Sequence, residues 1–340
     1  MSGPELRRAG PADDAAIRRL LAVAYPANPK ADAAVMRWQY WDNPFGPAQA
    51  WVWELDGDVI AHWAAVPVPL LLDGRPAPGV KTADAATHPG HRRMGLFATL
   101  ALRYMEDLRV GGVRAVLTHP NPDSTPGVEG SGAALVERVP VFVRALDSRW
   151  LARRFHVPRP LVAPVRAAVF GRVADAPHLV VDGLPEGLDA LWSAHAPQWT
   201  IRRDAAWWDW RYLRRPGGDY RLFALRRGDR LAAAGVTHVR EAFKGRFGYV
   251  MEFLAADDAA ARELADAMAA QSREEGASGL VAAATSGSRL AAQVAAAGFR
   301  RLPRRLEPNP LRFLVADPAG DSVALARHPW AMSWGDLDHL

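Results

Sequence analysis

Trp38, Tyr40, Pro44 and Gly46 recur as Trp210, Tyr212, Pro216 and Gly218, four residues of the same kinds at one offset of 172. A period this long, held jointly by aromatic, proline and glycine positions, marks a duplicated structural unit. The register persists downstream with little change. Trp51, Val52, Trp53, Glu54 and Leu55, followed by Asp56, Gly57 and Asp58, align with Leu222, Phe223, Ala224 and Leu225, followed by Arg227, Gly228 and Asp229. Each copy reads as a strand, a tight turn and a second strand. Residues 249–254 then stand where the short apolar strand 80–87 stands in the first copy, 259–275 reads as a helix stopped by Gly276, and 280–284 as another strand. The pattern predicts an α/β protein of two tandem mixed-sheet units, which agrees with a chain of 340 residues being too long for one ordinary core.

Between the strand 80–87 and the next helix the first copy carries His88, Pro89, Gly90, His91, Arg92, Arg93, Met94 and Gly95. Phe97, Leu100, Ala101, Tyr104, Met105 and Leu108 follow at helical spacing, and Gly111 and Gly112 supply the stop. A helix N-terminus presents unpaired backbone N–H groups and a partial positive charge, so this loop is chemically fitted to a pyrophosphate, with Arg92 and Arg93 adding full charges and Gly95 allowing close approach. The stretch Thr87, His88, Pro89, Arg92, Arg93, Gly95, Leu96, Phe97 resembles the acyl-CoA-binding motif of the GNAT N-acetyltransferase superfamily. The following strand 113–118, with Pro120, Asn121 and Ser124, is similar to a GNAT subgroup that has a Pro-Asn-x-x-Ser turn there. Phe97 departs from the small residue usual at the end of the motif and matches a Gly-Leu-Phe version of it. The resemblance covers residues 1–146 best. It implies acetyl-CoA or another acyl-CoA as cofactor, held by Ala85, Thr87, Arg92, Arg93, Met94, Gly95, Leu96, Phe97, Asn121 and Ser124.

The second copy lacks this loop. There the chain reads Ala255, Ala256, Asp257, Asp258, Ala259 and Ala260, placing two acids where phosphate would have to bind. The expected organisation is a GNAT-like acyl-CoA-binding domain at 1–146, a linker at 147–183, a second, degenerate GNAT-like domain at 184–316 and a C-terminal tail at 317–340. One acyl-CoA site per chain follows.

Acyl transfer from a thioester to an amine needs a base for the amine, donors for the developing oxyanion and an acid for the leaving thiolate. Asp84, three residues before Thr87 on the strand where GNAT enzymes often carry an acidic base, is the candidate base; the same position also suits a carboxylate bonded to a strand neighbour. His119 and Asn121 end the next parallel strand, where ligands collect in open α/β sheets, and are the other catalytic candidates; a histidine before proline is also a common turn residue. Glu252 is the second unit's nearest equivalent of Asp84, placed either to orient a substrate amine or as a satisfied strand carboxylate. The helix after residue 118 lacks the tyrosine acid of many GNAT enzymes, leaving Ser124, Thr125 or water for the leaving sulfur. Tyr104 belongs to the apolar stripe of its helix. The 13 tryptophans cluster in both copies and near the end, and Trp38 and Trp210, at equivalent positions, read as structural. The tail around Trp330 and Trp334 resembles the ending of tandem GNAT proteins and is expected to cover the pocket.

Composition excludes much else. With no cysteine there is no disulfide, thiolate metal site or cysteine nucleophile. His88 and His91 lack a third ligand nearby, so no metal is expected. The net charge of +5 comes from 42 basic residues scattered among 37 acidic ones, which argues against nucleic acid as partner. The densest basic stretch, 149–172, is broken by Pro158, Pro160 and Pro164 and reads as a solvated connection. No apolar run approaches membrane-spanning length and residues 1–8 carry no apolar leader, so no membrane association and a cytoplasmic location are expected. The sequence thus points to an N-acyltransferase, a monomer or homodimer, moving an acetyl or other short acyl group to the amine of a small molecule such as an amino sugar or a natural-product intermediate. Other acyl-CoA chemistry, such as decarboxylation or O-acylation, and a non-catalytic acyl-CoA-binding module are the alternatives.

Overall fold

The computed structural model describes residues 3–26, 32–171, 179–242, 245–307 and 310–337. Arg172 of the basic stretch and the last three residues of the tail lie outside the described residues. The first unit runs β1 (Glu5–Ala9), α1 (Asp14–Ala24), α2 (Ala33–Tyr40), β2 (Gln49–Leu55), β3 (Asp58–Leu72), β4 (Arg75–Thr87), α3 (Leu96–Val110), β5 (Ala115–Thr118), α4 (Thr125–Gly130), β6 (Ala134–Arg138) and β7 (Val141–Ala145). After α5 (Ser148–Phe155) and α6 (Arg159–Phe170) the same series begins again. It runs β8 (Val180–Val181), α7 (Leu188–His195), β9 (Trp199–Ile201), α8 (Ala205–Trp208), β10 (Tyr220–Arg227), β11 (Arg230–Ala242), β12 (Gly245–Ala255), α9 (Asp258–Glu274), β13 (Gly279–Ala283), α10 (Arg289–Ala296), β14 (Arg300–Arg301) and β15 (Arg312–Ala316). Helix α11 (Ser322–Ala326) and strand β16 (Trp330–Ala331) close the chain.

Two sheets result, and their orders match strand for strand: β1-β2-β3-β4-β5-β15-β6 in one and β8-β10-β11-β12-β13-β7-β14 in the other. The seventh strands have changed places. β15, from the end of the second copy, lies antiparallel between β5 and β6, with Leu314 opposite Thr118 on one side and Leu135 on the other. β7, from the end of the first copy, lies between β13 and β14, with Val143 opposite both Val281 and Arg300. The ranges 1–146 and 184–316 therefore each give one strand to the other's sheet. β9 further ties the units by pairing Ile201 and Thr200 with Leu70 and Leu71 of β3.

Each unit packs its long helix on one face of its sheet. Leu100, Ala101, Tyr104 and Leu108 of α3 bury against Val80, Val116, Trp51 and Trp63, so Tyr104 is a core residue as its spacing predicts. Leu264, Ala265, Met268 and Ala269 of α9 do the same against Val250, Leu280 and Phe223. The opposite faces meet in a shared core that contains Trp38, Trp207, Trp208, Trp210, Trp330 and Trp334. The stretch read from sequence as a solvated connection is instead two helices. Pro158 and Pro160 stand at the start of α6, where a missing N–H costs nothing, and Pro164 is accommodated inside it.

Candidate functional site

Strands β4 and β5 run parallel only from Gly79, Val80 and Lys81 against Ala115, Val116 and Leu117. Beyond this point they part. Asp84 lies three residues past Lys81 and His119 two past Leu117, so continuing the register places His119 across the opening from Ala83, one residue before Asp84. A bulge in the β3–β4 pairing, between His62 and Ala64, accompanies the departure. Asp84 itself has φ of 53°, a left-handed conformation that costs an aspartate little compared with a branched residue.

The Asp84 carboxylate accepts a 2.8 Å hydrogen bond from Tyr40 Oη, and its backbone carbonyl lies 3.0 Å from His62 Nδ1. Tyr25 Oη donates to the carbonyl of Ala85 at 2.6 Å. Burial pushes the Tyr25 phenol above its ordinary range, with the charge of Asp84 adding to the effect. Tyr25, Tyr40 and His62 are thus the neighbours of the sequence-predicted base that sequence reasoning missed. Tyr40 carried the only available signal, since it belongs to the repeat.

The loop expected from sequence to receive a pyrophosphate leads directly into α3. After Thr87, a single 3-10 turn Pro89–His91 leads to Arg92, Arg93, Met94 and Gly95, all exposed, before α3 starts. Arg93 and Gly95 are both left-handed, with φ of 65° and 75°, so the chain reverses its hand twice just ahead of the helix. A Cβ on Gly95 would meet nothing within 4 Å, so the space before the helix is open. Among the described residues no carboxylate lies within ion-pair distance of Arg92 or Arg93. These features fit a pyrophosphate. Leu96 is buried and its carbonyl accepts from Trp53 Nε1 at 3.1 Å. The Phe97 ring stacks on Trp63 at 4.7 Å and rests on Gly127, where a Cβ would come within 2.6 Å of it. The large residue at position 97 is therefore matched by the absence of a side chain at position 127.

The other candidates lie at the mouth of the same opening. His119 stacks on Phe313 at 5.0 Å, so the exchanged strand β15 supplies one wall of its surroundings. The Asn121 side-chain oxygen accepts from the backbone N–H and hydroxyl of Ser124 at 2.8 and 3.0 Å, and its carbonyl from the Thr125 hydroxyl at 2.8 Å. These bonds shape the turn into α4. They engage the Ser124 and Thr125 hydroxyls locally.

Glu252 is far more enclosed than Asp84. Its carboxylate accepts from Tyr212 Oη at 2.7 Å and Trp207 Nε1 at 3.3 Å and pairs with Arg203 at 3.0 Å, all within the core. Arg203 also grips both carboxylate oxygens of Asp336, at 2.6 and 2.7 Å. The structure thus gives Glu252 the satisfied-carboxylate role and leaves it no face toward a substrate amine. Tyr212 is the repeat equivalent of Tyr40, so both units keep a tyrosine bonded to a strand carboxylate, open in the first and sealed in the second. The seal is the tail: Ser333 Oγ donates to the Met251 carbonyl at 3.0 Å and Met332 N to Thr285 at 3.4 Å, so the chain end spans the gap between β12 and β13. Lys81 of β4 donates to the Asp336 carbonyl from the other side. The tail therefore fills the opening in the second unit that corresponds to the open one in the first.

The helix start differs in the same sense. Asp257 accepts from Ala260 N at 2.8 Å and caps α9 with its own carboxylate, held anionic below the ordinary range chiefly by that type of bond. The second unit supplies its helix with an internal anion, and the first does not.

Residues 5–129 match a family model described as an acetyltransferase (GNAT) domain. Among curated proteins none matches by sequence. Solved structures share the fold over nearly the whole chain. A conserved Enterococcus faecalis protein described as a probable N-acyltransferase superposes with a TM-score of 0.67 at 13% identity, over 94% of this chain and 74% of that one. A GCN5-related N-acetyltransferase from Anabaena variabilis gives 0.63 at 10% identity, over 93% and 73%. The Saccharomyces cerevisiae N-myristoyltransferase with bound myristoyl-CoA gives 0.60 at 11% identity, over 93% and 83%.

Proposed function

We propose, from the premise that residues 5–129 are a GNAT acetyltransferase domain within a chain of two tandem GNAT-like units, that the protein is an acyl-CoA-dependent N-acyltransferase with one active site. Its acceptor is the amine of a small molecule such as an amino sugar or a natural-product intermediate, and its donor carries an acetyl or other short acyl group. The observation that carries this reading is the asymmetry between the copies. Only the first unit combines an uncapped helix start, two left-handed loop residues and unpaired arginines with an open strand gap and an accessible carboxylate.

In this reading Arg92, Arg93 and the backbone N–H groups from Gly95 onward hold the pyrophosphate, while Ala85 and Thr87 line the gap that receives the thioester arm. Acyl-CoA, when bound, supplies an activated acyl group. Asp84 accepts the proton of the incoming amine, directly or through one water, and Tyr40 fixes the carboxylate for that task. A neutral amine is the only form with a free electron pair to attack the thioester carbonyl; the C–S bond then breaks and CoA leaves as a thiolate, which water protonates. His119 and Asn121 stand across the gap, where they orient the acceptor and the reacting carbonyl.

Calorimetric titration of the full chain with CoA tests the site. One equivalent should bind, and Gly95→Asp should abolish binding, because an acid would face the pyrophosphate from a backbone position that also disfavours a side chain. Two equivalent sites or unaltered binding would refute the assignment. Thiol release from acetyl-CoA against a panel of amino sugars and other small amines then tests the reaction, and no stimulation by any amine would leave CoA binding without the proposed chemistry.

A further inference from the structure

Helices α5 and α6 lean over the face of the second sheet that is turned away from α9, and leave between them and the sheet a groove of about 1130 Å³. Its floor is apolar: Val143, Phe247, Tyr249 and Val281, from β7, β12 and β13. Its outer wall is α6, whose Leu161 and Val165 lie four residues apart and so share one helix face. These residues are conspicuously open, Leu161 at 63% and Val165 at 60% exposure. A soluble chain rarely leaves so continuous an apolar surface without a ligand to cover it.

The rim has the opposite chemistry. Arg153, Arg166, Arg300, Arg301 and Arg305 line the groove, and among the described residues none of them makes an ion pair. Its one acid, Glu307, is already paired with Arg138 at 3.0 Å. Among the described residues Arg166 makes only long bonds, to the carbonyls of Ala145 and Gly171 at 3.3 and 3.4 Å. Burial and the like charges of Arg273 and Arg144 pull its guanidinium below the ordinary range, so an arriving anion relieves an unfavourable charge. Guanidinium groups match carboxylates and phosphates by paired donors.

We propose that this groove is a second ligand site, separate from the acyl-CoA site, for a single-chain amphiphile with an aliphatic body and an anionic head, of which a fatty carboxylate is the simplest case. The chain lies between α6 and the sheet and the head meets the arginines at the rim. The volume is slightly above the usual range for small-molecule pockets and accommodates a long chain.

The probe is monomeric dodecanoate, titrated calorimetrically into the full chain below its micelle concentration. Saturable binding near one equivalent is expected. Each methylene removed, from dodecanoate to octanoate, should weaken it about threefold to fourfold. Dodecyltrimethylammonium, with the same tail and the opposite charge, should bind at least tenfold more weakly. Leu161→Glu combined with Val165→Glu should abolish binding; both side chains are exposed, and an unchanged melting temperature verifies the fold. Arg300→Glu with Arg301→Glu should weaken dodecanoate at least tenfold while leaving CoA binding unchanged. Gly95→Asp should leave dodecanoate binding intact, and its loss in that variant would overturn the proposal by moving the amphiphile to the acyl-CoA site. Equal affinity for the cationic amphiphile would also overturn it. So would binding to phosphatidylglycerol vesicles without saturable binding of free dodecanoate, which would make the face a membrane contact.

Discussion

Trp38 and Trp210 hold each other by the same bond made twice: the Trp38 indole N–H donates to the Trp210 carbonyl at 2.9 Å, and the Trp210 indole N–H to the Trp38 carbonyl at 3.3 Å. Their rings stack 4.8 Å apart at 21°. Because the two positions are repeat equivalents, a local pseudo-two-fold axis passes between them, and the duplication visible in sequence becomes an interface in space.

Truncating either indole opens a cavity and strands a backbone carbonyl in the shared core. Trp38→Ala and Trp210→Ala should each destabilise the protein by about 3–5 kcal/mol. Each variant breaks one of the two bonds and both lose the same stack, so the double variant should cost less than the sum of the two by about the worth of that shared stack. Urea unfolding checks this. Full additivity, or separate transitions for the two units, would contradict a single cooperative core.

The strand exchange makes the units inseparable. In the fragment 1–146, β6 has lost β15, its only partner among the described residues, and β7 has lost both neighbours. That fragment should lack a cooperative thermal transition and aggregate through its open strand edges. Co-expression with 147–340 should restore a folded complex, observable by circular dichroism and size-exclusion chromatography. A monomeric, cooperatively folded 1–146 would show that β15 is dispensable to the first sheet.

Buried charge in the second unit gives stability a defined pH trend. Burial pushes the Glu252 carboxyl above its ordinary 4.5, against the opposing pull of Arg203. A group with a higher pKa folded than unfolded contributes stability that is fully present below the unfolded value and lost as pH rises through the folded one. Glu252→Gln lacks that loss, so its stability relative to wild type should rise as pH increases above the ordinary carboxylate value of 4.5. Arg203→Met, which leaves Glu252 and Asp336 as uncompensated buried carboxylates, should cost about 3–5 kcal/mol near neutrality and less in acid. Denaturant titrations at several pH values check both, and flat differences would mean that the carboxylates are not buried in solution.

The sequence made some of this legible and hid the rest for physical reasons. β2, β3, α3, β12 and α9 followed from periodicity and turn chemistry, because those signals are local. The Arg-x-x-Gly motif before α3 was equally local, as was its absence before Asp257. Strand exchange was not legible: the apolar pattern of 141–145 suits a middle position in either sheet, and only tertiary geometry decides which. The amphipathic character of α6 was obscured by Pro158, Pro160 and Pro164, which read as breakers although two of them stand where a helix can begin. Asp84 was readable as a candidate, but its partner Tyr40 lies 44 residues earlier, and no spacing rule connects them. Glu252 was found as the equivalent of Asp84. What separates them is the tail, whose seat against Arg203 and Lys81 exists only in the folded chain.

The Asp84–Tyr40 pair yields the sharpest functional expectation. Asp84→Asn is the informative substitution because asparagine tolerates the left-handed backbone at this position, whereas alanine would add strain to the loss of the carboxylate. If Asp84 takes the proton of the acceptor, the variant should keep its melting temperature and CoA affinity and lose about 10²–10⁴-fold in turnover at neutral pH. The deficit should narrow as pH rises, since more of the amine is then already neutral and the missing base matters less. Tyr40→Phe removes the 2.8 Å bond that orients the carboxylate and leaves the carboxylate itself, so it should reduce turnover by a smaller factor. In the Asp84→Asn background Tyr40→Phe should cost almost nothing more, because its effect acts through the carboxylate. Thiol release measured across pH for the two single variants and the double variant decides the matter. Wild-type turnover in Asp84→Asn at neutral pH would remove Asp84 from the mechanism, and a pH-independent deficit would reduce it to a structural carboxylate at the strand opening.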